Sequence, residues 1–341
     1  MSKNNAAART EVDPVLQQNL DYQAPGRTVG IVVMIGLIAF TAAFMTYQST
    51  RLDGTSKQSD MPDGLSQSSE RFDAAHFSLP RDERWGFVAI PAGEFTMGSN
   101  PLRDRMAYEN ERWSSTQRQG RVDLPTFFIG RYEVTNAQFA AYLKETNGSM
   151  LAQFTERLAM DSQSTAVLEQ PVTGITLPQM LGYARWLDAQ LRLSAETPTE
   201  LRELLDADGR VVLPNEAEWE KAARSEDGRT FPWGMQPSES YANFGGSALM
   251  PVGSIDCNTC SYGLADMAGN AWELTRSPLQ DYPFSLDQAP EALLSLDSLW
   301  VMRGGSFQDG MNNVRTAVRG AVDPSVRNAT IGFRVAISTL P

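Results

Sequence analysis

The run from Gly263 to Glu273, G-L-A-D-M-A-G-N-A-W-E, constrains this chain more than any other stretch. Two carboxylates, Asp266 and Glu273, bracket a Gly-Asn pair, and Trp272 stands beside the second of them. Gly269 lets the backbone turn where a side chain would clash and leaves carbonyls exposed, and carboxylates with carbonyl oxygens are what hold a hard cation such as calcium. From the residues alone the run has two readings. It is a calcium-binding turn, or a buried turn in which Trp272 supplies core and the carboxylates cap neighbouring backbone. Either reading calls for a fold rich in irregular turns, whose backbone groups find partners in polar networks or ions instead of in a ladder.

Composition closes several routes. At 341 residues the chain has room for one large domain or two small ones, with apolar content enough for a core. Its formal net charge of -12 is the wrong sign for a phosphate backbone, so nucleic acid is excluded as a partner. There is one histidine, His76, and there are two cysteines, Cys257 and Cys260. Sites built on two or three imidazoles, as in zinc hydrolases and non-haem iron oxygenases, cannot be assembled from that inventory.

Residues 1–27 are polar and mixed in charge, a cytoplasmic tail in this reading. Val29 to Met45 then runs uncharged and almost entirely apolar, extended by Thr28 and by Thr46 and Tyr47, with Arg27 and Arg51 placed to reach the two headgroup layers. A spanning helix needs about 20 such residues, so residues 28–47 read as one transmembrane helix. A cleaved signal peptide would want a shorter leading region and a small-x-small cleavage site. Lys3 and Arg9 precede the span and Lys57 follows it, so charge alone sets the orientation weakly. Residues 48–84 are Ser, Asp, Gln, Gly and Pro with scattered charge and read as a flexible linker, His76 being an exposed bystander.

The globular part is expected over residues 85–341. Gly86 to Ile90, the turn Pro91-Ala92-Gly93 and Glu94 to Gly98 predict a hairpin, and Phe127 to Arg131 another short strand. Thr135 with Gln138 predicts a boxed helix start that ends at Gly148, followed by an irregular insertion over residues 149–170. A second helix begins at Pro178 with Met180, Ala184, Leu187 and Leu191 on one face. After a polar excursion over residues 194–208, Asn215 with Glu218 starts a third, with Trp219, Ala222 and Ala223 inward. Few helical stretches follow Phe231. The class is a loop-rich α+β domain preceded by one transmembrane helix.

The blocks V-A-I-P-A-G-E-F-T-M-G-S, R-Y-E-V-T-N-A-Q-F, P-V-T-G-I-T, L-P-N-E-A-E-W-E-K-A-A-R, F-P-W-G, Y-A-N, Y-G-L-A-D-M-A-G-N-A-W-E-L-T, R-G-G-S-F and I-G-F-R-V-A, from Trp85 to Ile337, are similar in order to the formylglycine-generating (sulfatase-modifying factor) domain. The resemblance implies one mixed α/β domain low in regular structure and related to the C-type lectin-like fold. It implies calcium held by the Asp266 and Glu273 side chains with backbone oxygens of Gly269 and Ala271. A second family calcium site would begin at Asn243 and the Phe244 carbonyl, though the acidic segment that completes it is shortened here between Gly245 and Pro251.

The chain departs from the family at its chemistry. Catalytic members place two cysteines, thiolates that hold copper, just after R-G-G-S; here Arg303-Gly304-Gly305-Ser306 is followed by Phe307-Gln308-Asp309-Gly310-Met311. Asp309 and Met311 fall nearest the missing pair, and a carboxylate with a thioether is a poor Cu(I) site. No copper and no formylglycine formation are expected, and no catalytic residue is assigned. Trp272 and Ser306 match residues lining the family's oxygen-handling cavity and, with Arg303, Arg315 and Arg319, make the candidate ligand pocket. Arg315, Arg319 and Arg334 suit carboxylates, whether of a ligand or of the protein itself, and the second use is the simpler.

Cys257 and Cys260 lack the further ligands zinc would need and the helix start a redox pair would want, which favours a local disulfide and an oxidising compartment over two quiet thiols. The expectation is a non-catalytic accessory or regulatory domain in the periplasm, anchored in a bacterial inner membrane and binding a protein or a ligand. The alternatives are a cysteine-independent oxidase of a small molecule or peptide, and a structural subunit of a membrane complex in which Gly30, Gly36, Ala39, Ala42 and Ala43 let the span pack closely.

Overall fold

The computed structural model describes residues 71–161, 165–283 and 298–340, within one compact unit spanning Met61–Pro341. The tail, the expected span at residues 28–47 and the linker to residue 70 lie outside the described residues. Among the described residues no helix is long and apolar enough to cross a membrane.

In chain order the strands are β1 (Phe72–Asp73), β2 (Leu79–Pro80), β3 (Phe87–Ile90), β4 (Gly93–Met97), β5 (Gly120–Leu124), β6 (Phe127–Gly130), β7 (Arg210–Val212), β8 (Trp272–Pro278), β9 (Trp300–Arg303), β10 (Gly320–Val322), β11 (Ile331–Gly332) and β12 (Ala336–Ser338). The α-helices are α1 (Asn136–Thr146), α2 (Gly148–Asp161), α3 (Leu177–Leu193), α4 (Thr199–Asp206) and α5 (Glu216–Arg224). One four-stranded sheet runs β3-β6-β12-β7 and another β10-β9-β8-β11, with β1-β2 and β4-β5 as separate pairs. β11 lies parallel to β8, with Ile331 opposite Trp272 and Gly332 opposite Glu273, which sets the C-terminal I-G-F-R block beside the acidic turn.

The helix starts follow their sequence signals. Thr135 and Gln138 form a reciprocal capping box, as do Asn215 and Glu218, so two orphan donors are satisfied at each helix N-terminus. Phe139, Tyr183, Trp186 and Phe333 pack in tilted and edge-on contacts at centroid separations of 5.6 to 6.3 Å and form the aromatic centre of the larger core, between helices and sheet. Trp219, Phe127, Met97 and Ala222 centre a second cluster between α5 and the β4-β5 pair.

Several expectations give way. The Phe87–Ile90 and Gly93–Met97 strands do not pair with each other: β3 joins β6 and β4 joins β5, because the Pro91-Ala92 corner hands the chain from one sheet to another. The expected irregular insertion contains α2, whose Leu151, Phe154 and Leu158 are buried at helical spacing. The polar excursion contains α4, with Leu201 and Leu205 buried at i,i+4 under charged neighbours.

The folded part also begins earlier than Trp85. Phe72 and Leu79 are buried, and Phe72 lies 6.1 Å from Tyr132. His76 is half-buried against Trp85 instead of being an exposed bystander.

Candidate functional site

Left-handed backbone at Asp266 (φ 57°), Gly269 (φ 74°) and Asn270 (φ 58°) shapes the acidic turn. Gly269 is required twice over, since an added Cβ would sit 2.2 Å from the Asn243 carbonyl oxygen. Across that contact the Asn270 N–H donates to Asn243 O at 2.7 Å, and the Gly269 N–H donates to Gly304 O at 2.9 Å. Asn270 is buried, and its amide donates to Glu133 Oε1 (3.1 Å) and to Met250 O (3.3 Å) while accepting from Asn243 Nδ2 (3.0 Å) and the Met250 N–H (3.0 Å). Asn243 therefore ties two loops together, and Phe244 packs against the Phe231 cluster.

Glu273 has an occupied carboxylate. Arg334 donates from Nη2 to Oε1 and from Nε to Oε2, both at 2.5 Å, and Trp219 Nε1 donates to Oε2 at 2.6 Å. The Arg334 guanidinium also donates to the Gly130, Arg131 and Ala265 carbonyls, so this is a buried two-point ion pair with its remaining donors satisfied. The expected calcium ligand is thus the partner of an arginine, because the parallel β8-β11 pairing brings the guanidinium fork over its face.

Glu133, which the sequence reading passed over, stands on the other side of the turn. It is 1% exposed; its Oε1 accepts from Asn270, and its carboxyl lies within hydrogen-bonding reach of Asp266. Burial, then the Asp266 and Glu273 carboxylates, push the Glu133 carboxyl well above the usual range, and burial raises Asp266 as well. Asp266 accepts the Gly253 N–H at 2.6 Å. Among the described residues no three His, Cys, Asp or Glu side chains gather around one point. Glu273, whose oxygens are taken by Arg334 and Trp219, does not fit calcium; Asp266 is the one expected side-chain ligand not held by an arginine.

The loop after β9 joins this turn. Phe307 N–H donates to Asn270 O at 2.9 Å, and Gly245 N–H donates to Asp309 O at 2.8 Å. Asp309 is the hub of the loop. Its Oδ2 accepts from Trp272 Nε1 (2.9 Å), Ser306 N–H (2.9 Å) and Ser306 Oγ (2.7 Å), and its Oδ1 accepts from Asn313 Nδ2 (2.8 Å). Tyr108 in turn donates to Asn313 Oδ1 at 3.0 Å. The structure thus brings Trp272 and Ser306 together, through a carboxylate.

The expected pocket arginines lie inside the protein. Arg303 donates to Glu220 and to the Thr316, Ala317 and Val318 carbonyls, and it stacks over Trp219. Arg315 holds Asp104 and Glu111 at 2.6 Å each, and Arg319 holds Glu216 at 2.6 Å above the Tyr282 ring. All three are buried, so their carboxylates come from the protein itself. Next to the Asp104–Arg315 pair lies a cleft of about 200 Å³ with polar walls that include Arg103, Arg224, Glu226 and Asp227. Cys257 and Cys260 are joined by a disulfide, and Arg229 Nη1 fixes its loop by donating to Thr259 O at 2.9 Å.

The family described as the sulfatase-modifying factor enzyme 1-like domain matches residues 74–339. The chain is 28% identical over 286 residues to the hercynine oxygenase of Mycolicibacterium smegmatis, an overlap of 73% of this chain and 60% of that protein. It is 29% identical over 266 residues to the serine/threonine-protein kinase Pkn1 of Chlamydia trachomatis, covering 73% of this chain and 38% of that protein. The matched region therefore spans less than two thirds of either relative. The solved structure of PvdO from Pseudomonas aeruginosa shares the fold, with a TM-score of 0.53 at 23% identity over 74% of this chain and 94% of that one.

Proposed function

The chain belongs to the sulfatase-modifying factor enzyme 1-like family, and from that membership we propose that it is a binding member of the family, an accessory or regulatory domain that recognises a protein partner. In this reading residues 28–47 hold it in a bacterial inner membrane, and the folded part, with its disulfide, lies in the periplasm.

One observation carries the reading: the carboxylate of Asp309, which falls nearest the family's missing cysteines in the sequence resemblance, is occupied by four donors. A group so held neither binds Cu(I) well nor attacks a substrate; it stiffens the loop into a surface. The chain's only cysteines are bonded to each other elsewhere. The relative named as a kinase is consistent with an accessory part, since the matched region is 38% of that protein. Crosslinking in intact cells, followed by capture of the full chain from solubilised membranes, tests the proposal. A stable partner is expected, lost on substitution of exposed residues around Asp309; no partner, or loop variants that behave like wild type, would count against it.

A cysteine-independent oxidase is the second reading, and what favours it is the relative named hercynine oxygenase. Oxygen uptake with candidate substrates, abolished by Ser306→Ala and by Trp272→Ala, would replace the first reading with this one.

A further inference from the structure

We propose that His76 is a proton-operated latch, fastening the N-terminal hairpin, by which the chain enters the domain, to the loop between α3 and α4. The latch is closed in acid and loosens as pH rises. It is independent of whichever partner the domain binds.

The geometry demands a charged ring. Nδ1 lies 2.9 Å from Asp73 Oδ2, and Nε2 lies 2.5 Å from Glu196 Oε2. Only the imidazolium carries an N–H on both nitrogens; either neutral tautomer leaves a lone pair facing a carboxylate. Asp73 belongs to the hairpin itself, whereas Glu196 is 120 residues distant, so the protonated ring is the polar link between the two, beside the apolar contact of Phe77 with Trp186. Of the charged groups nearby, Arg81 acts on Asp73 and Arg84 is committed to Glu200 at 2.5 Å, which leaves Asp73 and Glu196 facing the ring. Trp85 covers it at a centroid separation of 4.8 Å.

The hairpin tip needs such a fastening. Phe77 (φ 58°) and Ser78 (φ 56°) are consecutive left-handed residues without being glycine, and Trp85 (φ 51°) is a third beside them. Away from the tip the hairpin is held independently by buried Phe72 and Leu79 and by the Arg71–Glu169 pair. Phe77 at the tip also packs edge-on against Trp186 at 5.7 Å, so opening of the latch removes the polar half of the tip's attachment and loosens it without unfolding the domain.

Hydrogen bonds from the ring to Asp73 and Glu196 raise the His76 pKa above its ordinary 6.5. A raised histidine contributes fully below the unfolded value, and its contribution is lost as pH rises through the folded value. The fastening is thus complete in mild acid and released on the alkaline side of 6.5.

Because the chain has a single histidine, its ring protons are the only histidine resonances in an NMR titration of the full chain in detergent. The expected midpoint lies above 6.5 in wild type and moves down in Glu196→Gln. Hydrogen exchange supplies the second readout at the Ser78 and Leu79 amides, which donate to Asp73 O and His76 O. Corrected for intrinsic rates, their protection should fall with rising pH in wild type and stay flat in His76→Gln. A wild-type midpoint at or below 6.5, or protection with the same pH profile in both proteins, would overturn the latch; the wild-type titration decides even if the variants fold poorly.

Discussion

Replacing Asp309 with alanine removes one carboxylate that accepts from Trp272, from Ser306 twice and from Asn313. Hydrogen bonds to a charged acceptor contribute about 1.5–3 kcal/mol each, but four such terms do not add, because water can reach the outer side of a half-exposed carboxylate. The donors that water cannot reach decide the cost. Ser306 is 1% exposed and Trp272 8%, so the loss is roughly 2–4 kcal/mol, the desolvation penalty of the donors left without an acceptor. Asparagine keeps an oxygen for the Ser306 and Trp272 donors but turns an amide N–H toward Asn313, and its loss should fall to about half that of alanine. Urea unfolding of the purified domain measures both as shifts in midpoint at constant slope. Alanine and asparagine variants within about 0.5 kcal/mol of wild type, the scatter of neutral surface changes, would refute the hub.

Two further outcomes follow from the acidic turn. Arg334→Met leaves Glu273 buried with only the Trp219 N–H, and should cost about 3–5 kcal/mol in the same unfolding assay; a loss under about 1 kcal/mol would mean that another cation faces Glu273. For calcium on the Asp266 side, chelation should lower the melting temperature in wild type and leave Asp266→Asn unmoved, while an unchanged wild-type melt with no metal by elemental analysis would remove the ion from the account.

How much was legible in the sequence depended on the distance between partners. The capping boxes at Thr135 and Asn215 involve residues three apart, and the structure has them as read. Gly269 was legible as a turn, but its stricter cause, the carbonyl of Asn243 beneath it, is a non-local contact. α4 was hidden because only Leu201 and Leu205 are buried in a run of charged and polar residues, too short a stripe to stand out. The β3-β4 hairpin was wrongly expected because adjacency in sequence does not decide which edge a strand joins. Glu133 and His76 were missed or misjudged because their partners, Asn270 and Glu196, lie 137 and 120 residues away. The arginines were ambiguous by type alone; Asp104, Glu111, Glu216 and Glu220 had to be located before their carboxylate partners could be assigned to the protein.

The most direct test of a framework kept without its thiols is mass spectrometry of a cysteine-containing peptide after incubation with the purified chain, copper and oxygen. The thiol should return unchanged, because neither Asp309 nor Met311 can act as the missing thiolate. Conversion of that cysteine to an aldehyde would contradict the account.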